Sequence, residues 1–79
     1  MLETELQRFL ELPYRRIVYR EENADGFYWV AEIEELGVAG DGDTPEEALR
    51  ELEHILPIIL RASLEDGAPI PEPATATNA

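Results

Sequence analysis

Hydrophobic residues change their spacing several times along this chain, and each change marks an element. Leu2, Leu6, Phe9 and Leu10 recur at helical spacing, with Glu3, Thr4, Gln7, Arg8 and Glu11 elsewhere around the turn. This predicts a short amphipathic helix within residues 1–12, ended by Pro13. From Tyr14 to Glu21 the β-branched and aromatic residues Ile17, Val18 and Tyr19 predict a strand. Glu22-Asn23-Ala24-Asp25-Gly26 supplies turn chemistry, and Phe27 to Glu34 is the return strand of a hairpin. Alternation there places Phe27, Trp29, Ala31 and Ile33 on a core face. Tyr28, Val30, Glu32 and Glu34 take the other face, where Tyr28 and Val30 need cover. A third short strand is expected at about Gly37 to Gly40, after a turn near Leu36-Gly37.

The pattern then switches back to a helical period. Thr44 is a good N-cap, Pro45 suits the first helical position, and Glu47 completes a capping box. Ala48, Leu49, Leu52, Ile55, Leu56, Ile59, Ala62 and Ser63 form the expected inward arc. Glu47, Arg50, Glu51, Glu53, His54, Arg61 and Glu65 form the wet arc, and Ile58 interrupts it. Gly67 is placed to end the helix, while Pro57 predicts a kink inside it. The proline-rich segment 68–79 reads as an extended tail, disordered towards its end. The expected fold is α+β: a three-stranded antiparallel sheet packed against one long helix, with a short N-terminal helix. The organisation is an arm over residues 1–12, a β-β-β-α body over 13–67 and the tail.

Charge sharpens this picture. Of the net −12, residues 1–20 contribute +1 through Arg8, Arg15, Arg16 and Arg20, and the rest of the chain contributes −13. Such a surface repels phosphate backbones and attracts cationic proteins, so direct nucleic-acid binding is not expected and a basic partner is. The same acids also serve solubility. With 79 residues and no cysteine, the core is thin and has no disulfide to support it, so a homo-oligomer, dimer or tetramer, is expected. Tyr28, Val30 and Ile58 are the candidate self-association residues, each apolar on a face otherwise given to water. No apolar run approaches the ~20 residues of a membrane-spanning helix, and Met1-Leu2-Glu3-Thr4-Glu5 carries acid where a secretory signal carries base. A cytoplasmic protein without a membrane partner is expected.

Candidate chemistry is sparse. His54 stands on a solvated arc with no cysteine or second histidine in the chain, so neither a catalytic triad nor a zinc set assembles around it. Ser63 faces inward without a base, and the many carboxylates fall on turns, caps and exposed arcs where acid catalysis finds no apolar pocket. Glu21, Asn23, Asp25, Gly26 and Glu32 match the first, third, fifth, sixth and twelfth places of a calcium-loop template. The flanks are strands, however, and a hairpin turn explains the same residues. No cofactor, metal or enzymatic activity is expected.

Four pieces in order carry a family likeness: Tyr14-Arg15-Arg16-Ile17-Val18; Asp25-Gly26-Phe27-Tyr28-Trp29-Val30-Ala31-Glu32-Ile33; Gly42-Asp43-Thr44-Pro45-Glu46-Glu47-Ala48-Leu49; and Glu65-Asp66-Gly67-Ala68-Pro69-Ile70-Pro71-Glu72-Pro73. Together, over residues 14–73, they resemble the HicB-like antitoxin family, and the N-terminal helix looks like the added arm of a short-form subgroup. The resemblance implies a partial ribonuclease-H-like fold without catalytic carboxylates, and a role in binding and blocking a small basic HicA-type toxin that cleaves messenger RNA. Longer relatives append a DNA-binding module, which the six residues after Pro73 do not supply. The chain has Glu34-Glu35-Leu36-Gly37 where the family commonly has a proline-containing bend. For the basic toxin the expected contacts are Glu34, Glu35, Asp41, Asp43 and Glu47. The alternative reading is an orphan oligomeric scaffold or ligand-binding module without a toxin, and a nucleic-acid mimic is a weaker third.

Overall fold

The structure, a computed structural model, describes residues 1–73. In chain order it contains α1 (Leu2–Glu11), β1 (Ile17–Asn23), β2 (Gly26–Ile33), β3 (Val38–Gly42) and α2 (Pro45–Asp66). The strands form one antiparallel sheet in the order β1-β2-β3. The protein is thus the α+β arrangement that the hydrophobic pattern predicts, one sheet against one long helix with a short helix in front.

Two local signals set α2. The Thr44 Oγ1 accepts from the Glu47 backbone N–H at 3.1 Å, and the Glu47 carboxylate accepts from the Asp43 N–H at 2.9 Å. This reciprocal pair resembles a capping box whose return bond lands one residue early. At the other end Gly67 adopts φ 72°, and the Gly67 and Ala68 N–H groups close on the Leu64 and Ser63 carbonyls. That left-handed stop suits glycine. Between these caps the helix continues unbroken through Pro57. The proline deprives the Glu53 carbonyl of its helical donor, at a residue exposed to water.

Beneath α2 the sheet supplies Ala31, Ile33 and Val38, and these join Ala48, Leu52, Leu56 and Leu60 in one core. Leu6 and Phe9 of α1, Tyr14 and the partly buried Ile70 belong to the same core, so arm, body and the tail up to Pro73 pack as one unit. Residues 74–79, where disorder was expected, lie outside the described residues. Close approach is achieved at β3, where Gly40 and Gly42 lie flat against the first turns of α2. A Cβ on Gly40 would stand 2.5 Å from the Leu52 nitrogen, and one on Gly42 2.5 Å from the Glu47 Cβ.

Four sequence expectations shift. β1 starts at Ile17, not Tyr14, and runs to Asn23, leaving only Ala24-Asp25 as the turn. Tyr14 leaves the strand because it is drawn into the core, where its hydroxyl donates to the Pro71 carbonyl. β3 likewise lies later, at Val38–Gly42, because the bend from Ile33 to Gly37 takes four residues and closes with Gly37 in the left-handed region at φ 66°. Phe27, expected in the core, is exposed: its strand position lies beyond the Trp29–Gly42 level at which α2 begins to cover the sheet. On α2, Ile59 and Ala62, expected inward, are exposed, and Leu60, which belonged to neither expected arc, is buried. The reason is that β3 and β2 cover the first half of α2, whereas α1 covers the second half from another direction, beside Leu60 and Arg61.

Two ion-paired seams fix the arm and tail. Arg61 donates to both Glu3 oxygens at 2.6 and 3.1 Å, and Arg8 donates to Glu72 at 3.2 Å. The hydrogen bond and charge of Arg61 hold the Glu3 carboxyl below its usual value of 4.5. The stabilisation linked to this group is therefore complete above that value and is lost as pH falls through the depressed one. Acidification below about pH 4.5 is expected to loosen α1, and Glu3→Gln removes this part of the pH dependence; amide exchange of α1 as a function of pH measures it. Tyr14→Phe deletes the bond to Pro71, with an expected loss of about 1 kcal/mol in urea unfolding and faster exchange at Ile70.

Candidate functional site

The sheet has one face under α2 and one face that no element covers among the described residues. Alternation and register assign Ile17, Tyr19 and Glu21 of β1, Tyr28, Val30 and Glu32 of β2, and Ala39 and Asp41 of β3 to the open face. One cross-strand row reads Tyr19, Val30, Asp41, and the next reads Ile17, Glu32, Ala39. Val30 is buried although it stands outside the main core, in the middle of this face. The Tyr19 hydroxyl donates to the Glu32 carboxylate at 2.9 Å, and that bond, with some burial and the carboxylate charge, holds the phenol above its ordinary value. Tyr19 is thereby fixed along the row beside Val30.

Towards β3 the open face falls into two shallow concavities that share Tyr28 and Asp41. One is lined by Asn23, Asp25, Phe27, Tyr28, Asp41 and Asp43 around the Gly42 backbone. The second is lined by Tyr28, Val30, Ala39, Asp41 and Glu51 around Gly40. Three structural facts place these side chains together. The hairpin tip carries Asp25, whose N–H is held by the Asn23 carboxamide oxygen at 2.9 Å. The β2–β3 register then sets Asp41 beside Val30, and the flat contact of Gly40 with α2 draws Glu51 to the strand edge.

The electrostatics of this margin are one-sided. Among the described residues, the carboxylates of Asp25, Asp41, Asp43 and Glu51 have no ion-pair partner. Three of the six arginines are engaged elsewhere: Arg8 and Arg61 tie α1 and the tail, and Arg16 grips Glu53 through two bonds of 2.8 and 3.0 Å. Arg20 stacks over the Phe27 ring at 4.9 Å, so an aromatic on this rim already receives a guanidinium. Acidic side chains around a half-buried tyrosine and an exposed phenylalanine suit lysine and arginine side chains of another protein.

Of the residues proposed from sequence, the structure gathers Asp41, Asp43, Tyr28 and Val30 at this margin, joining members of two separate expected sets. Glu34 and Glu35 sit in the β2–β3 bend, beyond the far end of a strand that spans roughly 13 Å. Glu47 is exposed and spends one oxygen on the Asp43 N–H. Ile58 is exposed on α2 and does not share the sheet face of Tyr28 and Val30. Sequence reasoning missed Asn23, Asp25, Phe27 and Glu51 as site residues. The turn chemistry signalled the first two, but placing them beside Asp43 requires the β2–β3 register.

Among the described residues, no group of three or more histidines, cysteines or acids is disposed to hold a metal ion. No helix among them is long and apolar enough to cross a membrane. Comparison with protein-family models, with curated proteins and with solved structures finds no match to this chain.

Proposed function

We propose that this chain acts by binding, as a HicB-like antitoxin whose acidic β3 margin covers a small basic protein. The partner that the resemblance of residues 14–73 implies is a HicA-type messenger-RNA-cleaving toxin. The observation that carries the reading is the cluster of unpaired carboxylates of Asp25, Asp41, Asp43 and Glu51 around Tyr28, on a sheet face left open by the fold. Their field raises the encounter rate with a cationic surface, and Tyr28 offers a ring for a guanidinium once the surfaces meet. Covering a basic ribonuclease needs no bond chemistry from this chain, only an area that competes with RNA phosphates for the same cations.

Co-expression with a small basic protein from the neighbouring reading frame tests it. Relief of growth arrest and salt-sensitive co-purification are expected. Replacing Asp41 and Asp43 together by Asn is expected to lower the association rate roughly fivefold to tenfold at low ionic strength and much less at high salt. Failure of any basic neighbour to co-purify from the native host would leave the orphan scaffold as the better reading.

A further inference from the structure

A second surface adjoins the acidic margin. Ile55, Ile58, Ile59 and Ala62 recur at three- and four-residue spacing, so they form one stripe along α2. This stripe is distinct from the buried row of Ala48, Leu52, Leu56 and Leu60. Ile58 is 57% exposed and Ile59 42% exposed; Ala62 is exposed and Ile55 half-buried. The helix thus carries two apolar faces, one filled by the sheet and α1 and one that, apart from the half-buried Ile55 at its edge, is uncovered among the described residues. One turn before Ile55 stands Glu51, which lines the concavity beside Tyr28 and Asp41, so stripe and margin are continuous.

The charges around the stripe choose its occupant. Glu51 closes one end, Glu65 and Asp66 close the other, and all three are exposed. Of the two arginines on the helix, Arg61 is turned to Glu3 of α1, and Arg50 falls on the charged arc away from the stripe. A second copy of this chain is a poor match. In an antiparallel pairing centred on Ile58 and Ile59, Glu51 of one copy would meet Asp66 of the other, and a parallel pairing sets each acid beside itself. From this arrangement we infer that the stripe docks a basic amphipathic helix of the protein partner, its apolar residues on Ile58 and Ile59 and its lysines or arginines on Glu51, Glu65 and Asp66. The inference rests on the binding reading given above and assigns that partner a helix. Isoleucine anchors supply contact area and the acidic ends set orientation.

The test uses two synthetic peptides of about eighteen residues, long enough for an isolated helix to gain some stability. One carries leucine at helical spacing with lysine and arginine between; the other has the same composition with that spacing scrambled. Calorimetric titration of the whole protein is expected to show the patterned peptide binding about tenfold or more tightly than the scrambled one. The double variant Ile58→Ser, Ile59→Ser is expected to erase that advantage while leaving scrambled-peptide binding unchanged. Ile58→Ser alone, at the more exposed position, shifts affinity in the same direction and guards against a folding defect. Equal binding of both peptides to the unaltered protein overturns the stripe inference and leaves the acidic margin standing. Binding of neither peptide at low salt removes the binding reading together with it. Sedimentation of the unaltered protein as a dimer that Ile58→Ser, Ile59→Ser dissociates assigns the stripe to a second copy and overturns the inference.

Discussion

Gly40→Ala is expected to destabilise this protein by about 3 kcal/mol, at the upper end of the range for overpacking. The added methyl would stand 2.5 Å from the Leu52 nitrogen, 2.9 Å from the Glu51 carbonyl carbon and 3.0 Å from the Ala48 oxygen. All three are backbone atoms of α2, which cannot rotate aside as a side chain can. Relief requires the helix to lift from β3, and lifting it opens the contacts of Leu52 and Leu56, both buried to 1% exposure or less. A domain of 79 residues has about 4–12 kcal/mol of total stability, so the loss is a large share of it. Denaturant unfolding of the variant measures the loss. A cost below about 1 kcal/mol would show that α2 floats on the sheet more freely than the contact distances allow.

Leu52→Ala is expected to have an effect of similar size, about 3–4 kcal/mol, from a different cause. Leu52 is fully buried at the point where the sheet and α2 meet, and its removal leaves a void between elements that both resist collapse. The two changes adjoin in space, yet they are expected to combine nearly additively. The methyl of Gly40→Ala strikes backbone, and trimming a side chain does not move that backbone away. Unfolding of the double variant decides the matter: a combined loss well below the sum of the two single losses would mean that α2 shifts into the space vacated by Leu52.

Local chemistry was the legible part of the fold. The Thr44 cap, Pro45 and the Gly67 stop act within a single turn of chain, and α2 begins and ends where they place it. The alternation of β2 likewise gave Ala31 and Ile33 their buried side without reference to any other element. What local pattern did not contain was the position of distant partners. Tyr14 has the composition of a strand residue but is claimed by Pro71, far along the chain. Phe27 has the parity of a core residue but lies past the reach of α2. Leu60 is buried because α1 approaches from its side, which no helical wheel of α2 alone can show. The candidate site shares this history. Asp41 and Asp43 were readable as acids on a bend, whereas their meeting with Tyr28, Asp25 and Glu51 depends on strand register and on Gly40 lying flat beneath the helix.

The clasp that joins the two ends of the described chain has a practical corollary. Glu3 holds Arg61, Arg8 holds Glu72, and Tyr14 reaches Pro71, so Met1 and Pro73 emerge near the last turns of α2. The hairpin tip and Asp43 stand near its first turn, a helix of 22 residues or about 33 Å away. A fluorophore, an affinity handle or a tether to a surface attached at Met1 or at Pro73 sits at the pole opposite the carboxylate rim, leaving that rim free to greet whatever approaches it.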